Sequence, residues 1–327
     1  MKIYLLIASL FLTSCFPIGD LLPDFVPFTK ELSLEAKTLC VKDNPSRSVE
    51  ECDVKKCFAS PLTLIAMQEL LIEAGQVLTE VGLTWVIEAG SGIAAERFNA
   101  HLPWDDDVDL GVFKEDINET ILMSIEGKLR EKGLDFKPLF GTSMMQNITG
   151  YQGLYQVAYG ESRFYRLILS ENPSINKVDL RNLWLRYTHG SSMLPHLDVF
   201  LYEEKSPGRY AYESSHFNVL QLKNRTFPKE VLVPAKTISV LGRSFPTVAN
   251  IVEYGKIAYQ TDDIVNNFYV NRNHSAGCKP LNFPDIRKHP ELLNFILDYL
   301  EFSYARPAAV ALGLKFDRGA VYNRFFP

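Results

Sequence analysis

From Ser60 onward, apolar positions fall into runs whose spacing switches between helical and alternating. Leu64, Met67, Leu71, Ala74, Leu78 and Val81 recur at steps of three and four, which puts them on one face of a helix. Ser60 is placed to cap that helix, Pro61 suits its first turn and Gly82 stops it. Residues 83–89 read as a buried strand, Gly90-Ser91-Gly92 as a tight turn and 93–99 as a short helix. Val108, Leu110 and Val112 then alternate with polar or small residues, the pattern of a strand. Asp116-Ile117-Asn118-Glu119 resembles a capping box with Asp in the first place. Ile117, Ile121, Leu122, Ile125 and Leu129 give the apolar face of the helix it opens, and Gly133 ends it.

Farther along, residues 153–170 are aromatic and β-branched and predict one or two strands. Residues 196–202 predict a strand with one acid among apolar neighbours, and 245–258 and 290–304 read as helices. The order helix, strand, helix, strand, helix, strands predicts an α/β fold with a mixed β-sheet flanked by helices. Neither an internal repeat nor a low-complexity linker divides the chain.

The first 59 residues lack this periodicity. Lys2 is followed by an apolar stretch from Ile3 to Phe16, so residues 1–15 read as a secretory signal peptide, with a short anchor as the alternative. Leu12-Thr13-Ser14-Cys15 also matches a bacterial lipoprotein cleavage box, in which Cys15 would carry lipid. Sequons at Asn118, Asn147, Asn224 and Asn273 favour a eukaryotic secretory chain instead, secreted or in the lumen of the ER or Golgi. Any membrane association is assigned to this terminus. Residues 16–59 read as a stem or N-terminal cap. Behind the leader stand Cys40, Cys52, Cys57 and Cys278. An even count in an oxidising compartment predicts two disulfides, with three pairings open. A zinc site is the rival, though no C-x₂-C or nearby His supports it.

Composition narrows the partner. The chain has 327 residues, 46% apolar and 22% charged, with a formal charge of −5 and pI near 5.8. That is globular composition and argues against a nucleic-acid surface. A polyanionic substrate must then be held locally, by metal or a few Arg and Lys.

The densest chemistry lies at Pro103-Trp104-Asp105-Asp106-Asp107-Val108-Asp109-Leu110-Gly111. On a strand, Asp105, Asp107 and Asp109 share a face and repel unless a cation or proton neutralises them. Carboxylate oxygen suits hard divalent cations, which points to Mg²⁺ or Mn²⁺. A calcium loop fits the first, third and fifth positions. It fails next, where Leu110 stands for the required Gly and Asp116 for the closing Glu. Two further pieces join the acids. Gly90-Ser91 follows a predicted strand and could present backbone N–H groups to phosphate. Asp198 lies between Leu197 and Val199, where an unpartnered carboxylate is costly and a metal or a structural cation would offset it.

Together, the Gly-Ser pair, the Asp107-x-Asp109 pair and the later Asp198 resemble the nucleotidyltransferase superfamily, and more specifically its LicD-type, fukutin-related family. The likeness covers about residues 62–260. Gly90 to Arg97 is similar to that family's Gly-Thr-Leu-Leu-Gly-Ala-x-Arg segment, and Pro103 to Gly111 to its Pro-Trp-Asp-x-Asp-x-Asp-Leu-Gly segment. Ala94 replaces the second Gly, and Gly92-Ile93 replace Leu-Leu. The resemblance implies a nucleotidyltransferase-like catalytic domain over 60–327. It implies transfer of a phospho-alcohol from a CDP-activated alcohol donor, such as CDP-choline or CDP-ribitol, to a glycan or glycoprotein acceptor. Asp107, Asp109 and Asp198 are then the catalytic and metal-binding acids, Gly90 and Ser91 position phosphate, and Arg97 pairs with it. The competing functions are a secreted glycan-binding module of the same fold without turnover and a calcium-binding structural domain.

Overall fold

The computed structural model describes residues 25–138, 154–189, 195–212, 225–270 and 278–327. The leader, Cys15 and the sequon asparagines Asn147, Asn224 and Asn273 lie outside them. The chain begins with α1 (Leu34–Asp43), α2 (Pro61–Glu80), β1 (Trp85–Ile87), α3 (Ala89–Phe98) and β2 (Asp107–Phe113). It continues through α4 (Glu119–Glu131), β3 (Leu134–Pro138), β4 (Leu154–Tyr159), α5 (Glu161–Glu171), α6 (Lys177–His189), β5 (His196–Ser206) and β6 (Arg209–Tyr212). After β7 (Phe227–Pro228) and α7 (Lys229–Leu232) come β8 (Lys236–Val240), β9 (Arg243–Thr247) and α8 (Ile251–Tyr259). The last elements are β10 (Phe268–Val270), β11 (Leu281–Phe283), α9 (Pro290–Tyr304), α10 (Pro307–Ala311) and α11 (Arg318–Phe325).

The main sheet runs β3-β4-β5-β2-β1-β9-β8, with β6 and β7 continuing from β5. β2 pairs parallel with β5 and β1 parallel with β9, while β1–β2 and β4–β5 are antiparallel. This is the mixed α/β sheet predicted from the pattern, of nucleotidyltransferase-like class. β10 and β11 form a separate two-stranded ribbon.

Helix α2 is the sheet's main cover. Ser60 Oγ accepts the Thr63 N–H at 3.1 Å, and Pro61 occupies the first turn. Leu64, Ile65, Met67 and Leu70 are fully buried, each contributing about 1.5–3 kcal/mol by leaving water. The helix is long and apolar enough to cross a bilayer, yet most of its apolar window is buried against the sheet and α9.

Four local expectations shift. Gly90, Ser91 and Gly92 are the first turn of α3, not a loop. The chain reverses one residue earlier, where Glu88 is extended and Ala89 takes a φ of 47°. Helix α4 is capped by Asn118, whose Oδ1 accepts the Ile121 N–H at 3.0 Å, while residues 114–116 make a short 3₁₀ turn. The strand expected across 153–170 stops at Tyr159. From Glu161 the buried positions are Phe164, Leu167 and Ile168, so the helical period prevails and α5 forms. In the stretch read as a helix from 245, residues 245–247 belong to strand β9. It pairs with β8 through Leu241 and Gly242, both at positive φ, as a two-residue hairpin turn requires. Helix α8 starts only after Asn250 caps it.

The region before Ser60 docks on the core. Helix α1 forms there despite weak periodicity, with Ser33 as its cap. Phe28 packs edge-on against Phe295 and Tyr299 of α9 at 5.5 and 5.1 Å. Of the three open pairings, the structure selects Cys40–Cys52 and Cys57–Cys278. All four thiols are consumed, which removes the zinc alternative. Two disulfides fit an extracellular or secretory-pathway protein.

The two bridges should differ in weight. Cys57–Cys278 spans 221 positions and Cys40–Cys52 spans 12, which by chain entropy corresponds to about 5 and about 3 kcal/mol. Urea unfolding of the Cys57→Ser/Cys278→Ser and Cys40→Ser/Cys52→Ser variants should show the larger loss for the first. An equal or reversed order would contradict it.

Candidate active site

The parallel pairing of β2 with β5 sets Asp107 opposite His196 and Asp109 opposite Asp198. Alternate residues of a strand share a face, so all four side chains project from one side of the sheet. Val108, Leu110, Leu197 and Val199 point the other way into the core. β4 adds Gln156 across from Asp198, and its Nε2 donates to Asp198 Oδ1 at 3.4 Å.

Helix α3 is tied to this face at its N-terminus. The Glu88 N–H donates to the Asp109 carbonyl at 3.1 Å. The Asp109 N–H donates to Ser91 Oγ at 3.0 Å, and the Gly90 N–H donates to the Asp109 carboxylate. A side chain at position 90 would collide with the site, because its Cβ would lie 3.2 Å from Asp105 Oδ2 and 3.7 Å from Asp109 Oδ2. Gly90 therefore leaves a cleft between the helix end and the acids.

Behind the turn, Glu88 is fully buried. The Tyr202 hydroxyl donates to its carboxyl, and Tyr202, Tyr212 and Tyr254 continue the chain of hydroxyls. Gly111 makes this possible, since a Cβ there would lie 2.5 Å from the Tyr202 ring and 2.8 Å from Glu88 Oε2. Burial pushes the Glu88 carboxyl well above the usual range, against the Tyr212 hydrogen bond.

The acids carry the expected electrostatic cost. Burial, then the charges of Asp107, Asp198 and Glu88, hold Asp109 well above its ordinary range, against the Gly90 N–H. Burial and the neighbouring aspartates do the same to Asp105. Asp198 is raised to about 6, first by burial; His196 opposes the rise and Asp107 adds to it. His196 Nε2 stands 3.7 Å from Asp198 Oδ1 and 4.0 Å from Asp107 Oδ2.

These residues fit a divalent cation. Asp107, His196 and Asp198 each offer a donor atom, and the three lie within 4.8 Å of one another. Two ligands of one ion at the usual bond lengths are at most roughly 4.4 Å apart, so the two shorter separations need little adjustment. Two carboxylates and an imidazole make a donor set that could hold a divalent cation.

The predicted residues divide as follows. Asp107, Asp109 and Asp198 share one face of the strand pair, as anticipated. Among the described residues two groups lie at ligand distance, Asp107–His196–Asp198 and Asp105–Asp106–Asp107; neither contains Asp109, and in the first His196 stands where Asp109 was expected, because the parallel register puts the imidazole between Asp107 and Asp198. Gly90 and Ser91 border the acids, and Ser91 Oγ accepts the Asp109 N–H, which leaves its own O–H as a donor. Arg97 is occupied elsewhere. Its Nε and Nη2 donate to the Ile264 carbonyl at 2.8 and 2.5 Å, Nη2 also reaches the Asn267 carbonyl at 2.5 Å, and the guanidinium lies 4.6 Å from the Phe268 ring centroid. A calcium loop is excluded because Asp107–Phe113 is an interior strand. His196, Glu88 and Gln156 were missed. Only His196 left a signal, since His196-x-Asp198 alternates in phase with Asp107-x-Asp109.

The mixed sheet flanked by helices is an α/β architecture consistent with a nucleotidyltransferase-like fold. Residues 82–193 match the family model described as LicD/FKTN/FKRP, nucleotidyltransferase domain. No curated protein matches the chain. The matched segment holds Gly90, Asp107 and Asp109 and ends before β5, which supplies His196 and Asp198.

A pH test follows from Asp198. Its folded pKa of about 6 exceeds the ordinary 3.8, so the folded state binds the proton more tightly than the unfolded chain. That contribution is fully present below pH 3.8 and is lost as pH rises through about 6, on the order of 3 kcal/mol. In EDTA, Asp198→Asn should remove this part of the decline in thermal stability. Mn²⁺ should stabilise the wild type increasingly over the same interval. A pH profile identical in wild type and Asp198→Asn would contradict the assignment.

Proposed function

We propose that this chain transfers a phospho-alcohol, of the phosphocholine or ribitol-phosphate kind, from a CDP-activated donor to a glycan hydroxyl, using Mg²⁺ or Mn²⁺. The observation that carries the reading is the Asp107–His196–Asp198 group beside the open N-terminus of α3. Asp107, His196 and Asp198 would hold the cation. A divalent ion held by them would supply positive charge to offset that of the donor diphosphate.

The protein's own groups supply the rest. The space left by Gly90 admits a phosphate to the first turn of α3, where the helix dipole favours negative charge. Ser91 holds the Asp109 backbone and so fixes the acid against the helix. Asp109 stands outside the ligand-distance group, and burial and like charge raise its proton affinity. It is therefore our choice to accept the acceptor hydroxyl's proton. We assign Arg97 to positioning: it ties α3 to the segment 264–267 and is not needed for phosphate. The two disulfides, the leader-like terminus and the exposed sequon at Asn118 support a site of action in the secretory pathway or outside the cell.

The test is transfer from CDP-ribitol and CDP-choline to glycan acceptors with Mn²⁺. Asp107→Asn and Asp109→Asn should each lower turnover by at least about 100-fold while thermal unfolding stays cooperative. Activity within a few-fold of wild type in both variants, or full activity in excess EDTA, would sink the proposal. His196→Ala separates the cation from the fold. It should weaken Mn²⁺ binding, measured by calorimetry with the metal alone, more than it weakens Mg²⁺ binding, because an imidazole nitrogen favours the softer ion. Equal losses for the two ions would remove His196 from the ligand set.

A further inference from the structure

A recess of about 470 Å³ opens next to the acidic cleft and shares Gly90 with it, a size typical of small-molecule sites. Ile93, Leu102 and Ile264 give it an apolar lining. Tyr259 and Tyr269 also border it, and both are large rings left about half open, at 47% and 55% exposure. Burial, then the charges of Asp109, Asp105, Glu88 and Asp107, hold the Tyr259 hydroxyl well above a phenol's ordinary range. Tyr259 lines the recess together with Gly90, the residue whose added Cβ would meet the Asp105 and Asp109 carboxylates, so it stands at the junction of recess and cleft.

The lining argues for a neutral, flat ligand. Its cation among the described residues is Arg97, which is buried and bonded to two backbone carbonyls. A phosphate in the recess would find poor neutralisation there and good neutralisation at the cation-binding acids. A glycan carries a hydroxyl on nearly every ring carbon, and those at its rim would stay unpaired against Ile93, Leu102 and Ile264. A nucleobase offers two apolar faces and a polar edge, which suits aromatic rings with a few amides and hydroxyls, here Asn267, Asn282 and Thr261.

We propose that this recess binds the nucleoside of the donor, with the base against Tyr269 and the 5′ phosphates emerging at Gly90 toward Asp107, His196 and Asp198. This rests on reading the protein as a transferase with a nucleotide-activated donor. It adds where that donor is recognised and by which residues, most of which lie beyond the segment 82–193.

The experiment measures CDP binding with Mn²⁺ by calorimetry on the full chain, alongside Mn²⁺ binding alone. Tyr269→Ala should raise the CDP Kd about tenfold, from the loss of one base–aromatic stack. Tyr269→Trp should restore it, and Mn²⁺ affinity should be unchanged in both. The ring is half exposed, so its truncation leaves the core intact, and thermal unfolding of each variant checks this. If CDP binds wild type and Tyr269→Ala equally, the recess is not the nucleoside site, while retained transfer activity would leave the proposed function standing. If Tyr269→Ala instead raises KM for the glycan with CDP affinity unchanged, the recess serves the acceptor and the inference is overturned. If CDP, UDP, ADP and GDP all fail to bind wild type, the inference and the transferase reading fall together.

Discussion

The site depends on one register. β2 and β5 are neighbours by parallel pairing, and seven matched positions from Asp107↔His196 to Phe113↔Tyr202 fix how they align. A slip of one residue would turn every side chain of one strand to the opposite face. Either Val108, Leu110 and Val112 on β2 or Leu197, Val199 and Leu201 on β5 would then be exposed while that strand's acids entered the core. Apolar burial on the far face therefore enforces the convergence of Asp107, Asp109, His196 and Asp198 on the near face. Packing energy, rather than attraction between the polar groups, brings them together.

Those polar groups work against the fold that assembles them. Two carboxylates about 4 Å apart repel by about 4 kcal/mol at the effective dielectric near a protein surface. The chain offsets part of this locally. The Gly90 N–H donates to Asp109, the positive end of α3 faces the acids, and Gln156 and His196 approach Asp198. Asp109 and Asp198 nevertheless keep raised pKa values. A divalent cation held there would relieve the remaining repulsion, and the strain of the acids would then contribute to its affinity.

The sequence exposed the parts of this arrangement governed by period. Helix α2 was legible from steps of three and four, β2 and β5 from alternation, and α9 from its own apolar face, and each lies where the pattern put it. Local rules misled where two competed. At 161–171 aromatic and β-branched content suggested a strand, but Phe164, Leu167 and Ile168 follow the helical period. At 90–92 three small residues suggested a turn, but the reversal occurs at Ala89. Asp107, Asp109 and Asp198 were legible as a motif. His196 was hidden because one histidine at a strand end is ambiguous until a partner strand fixes its neighbours. Arg97 was misread because its partners, the carbonyls of Ile264 and Asn267, lie more than 160 positions away, beyond any local pattern.

That long-range tie belongs to a wider device. The N-terminal region grips the β10–β11 ribbon: Asn44 Nδ2 donates to the Asn282 carbonyl at 3.0 Å, and the Asn282 N–H donates to Asn44 Oδ1 at 2.8 Å. The Cys57–Cys278 bridge anchors the chain three residues before β11. From the other side, Arg97 fastens α3 to the segment leading into β10. Tyr269 and Asn282 of the ribbon therefore stand in a fixed relation to Gly90 and the acids, although sheet pairing does not join the ribbon to the main sheet. A single bonded carbonyl would let this small ribbon pivot. The disulfide, the Asn44 pair and the Arg97 clamp act at different points and restrain it together. Reduction of the bridge should therefore loosen the recess before it disturbs the acidic face, whose geometry rests on the pairing of β2 with β5 and on the ties from α3 and β4.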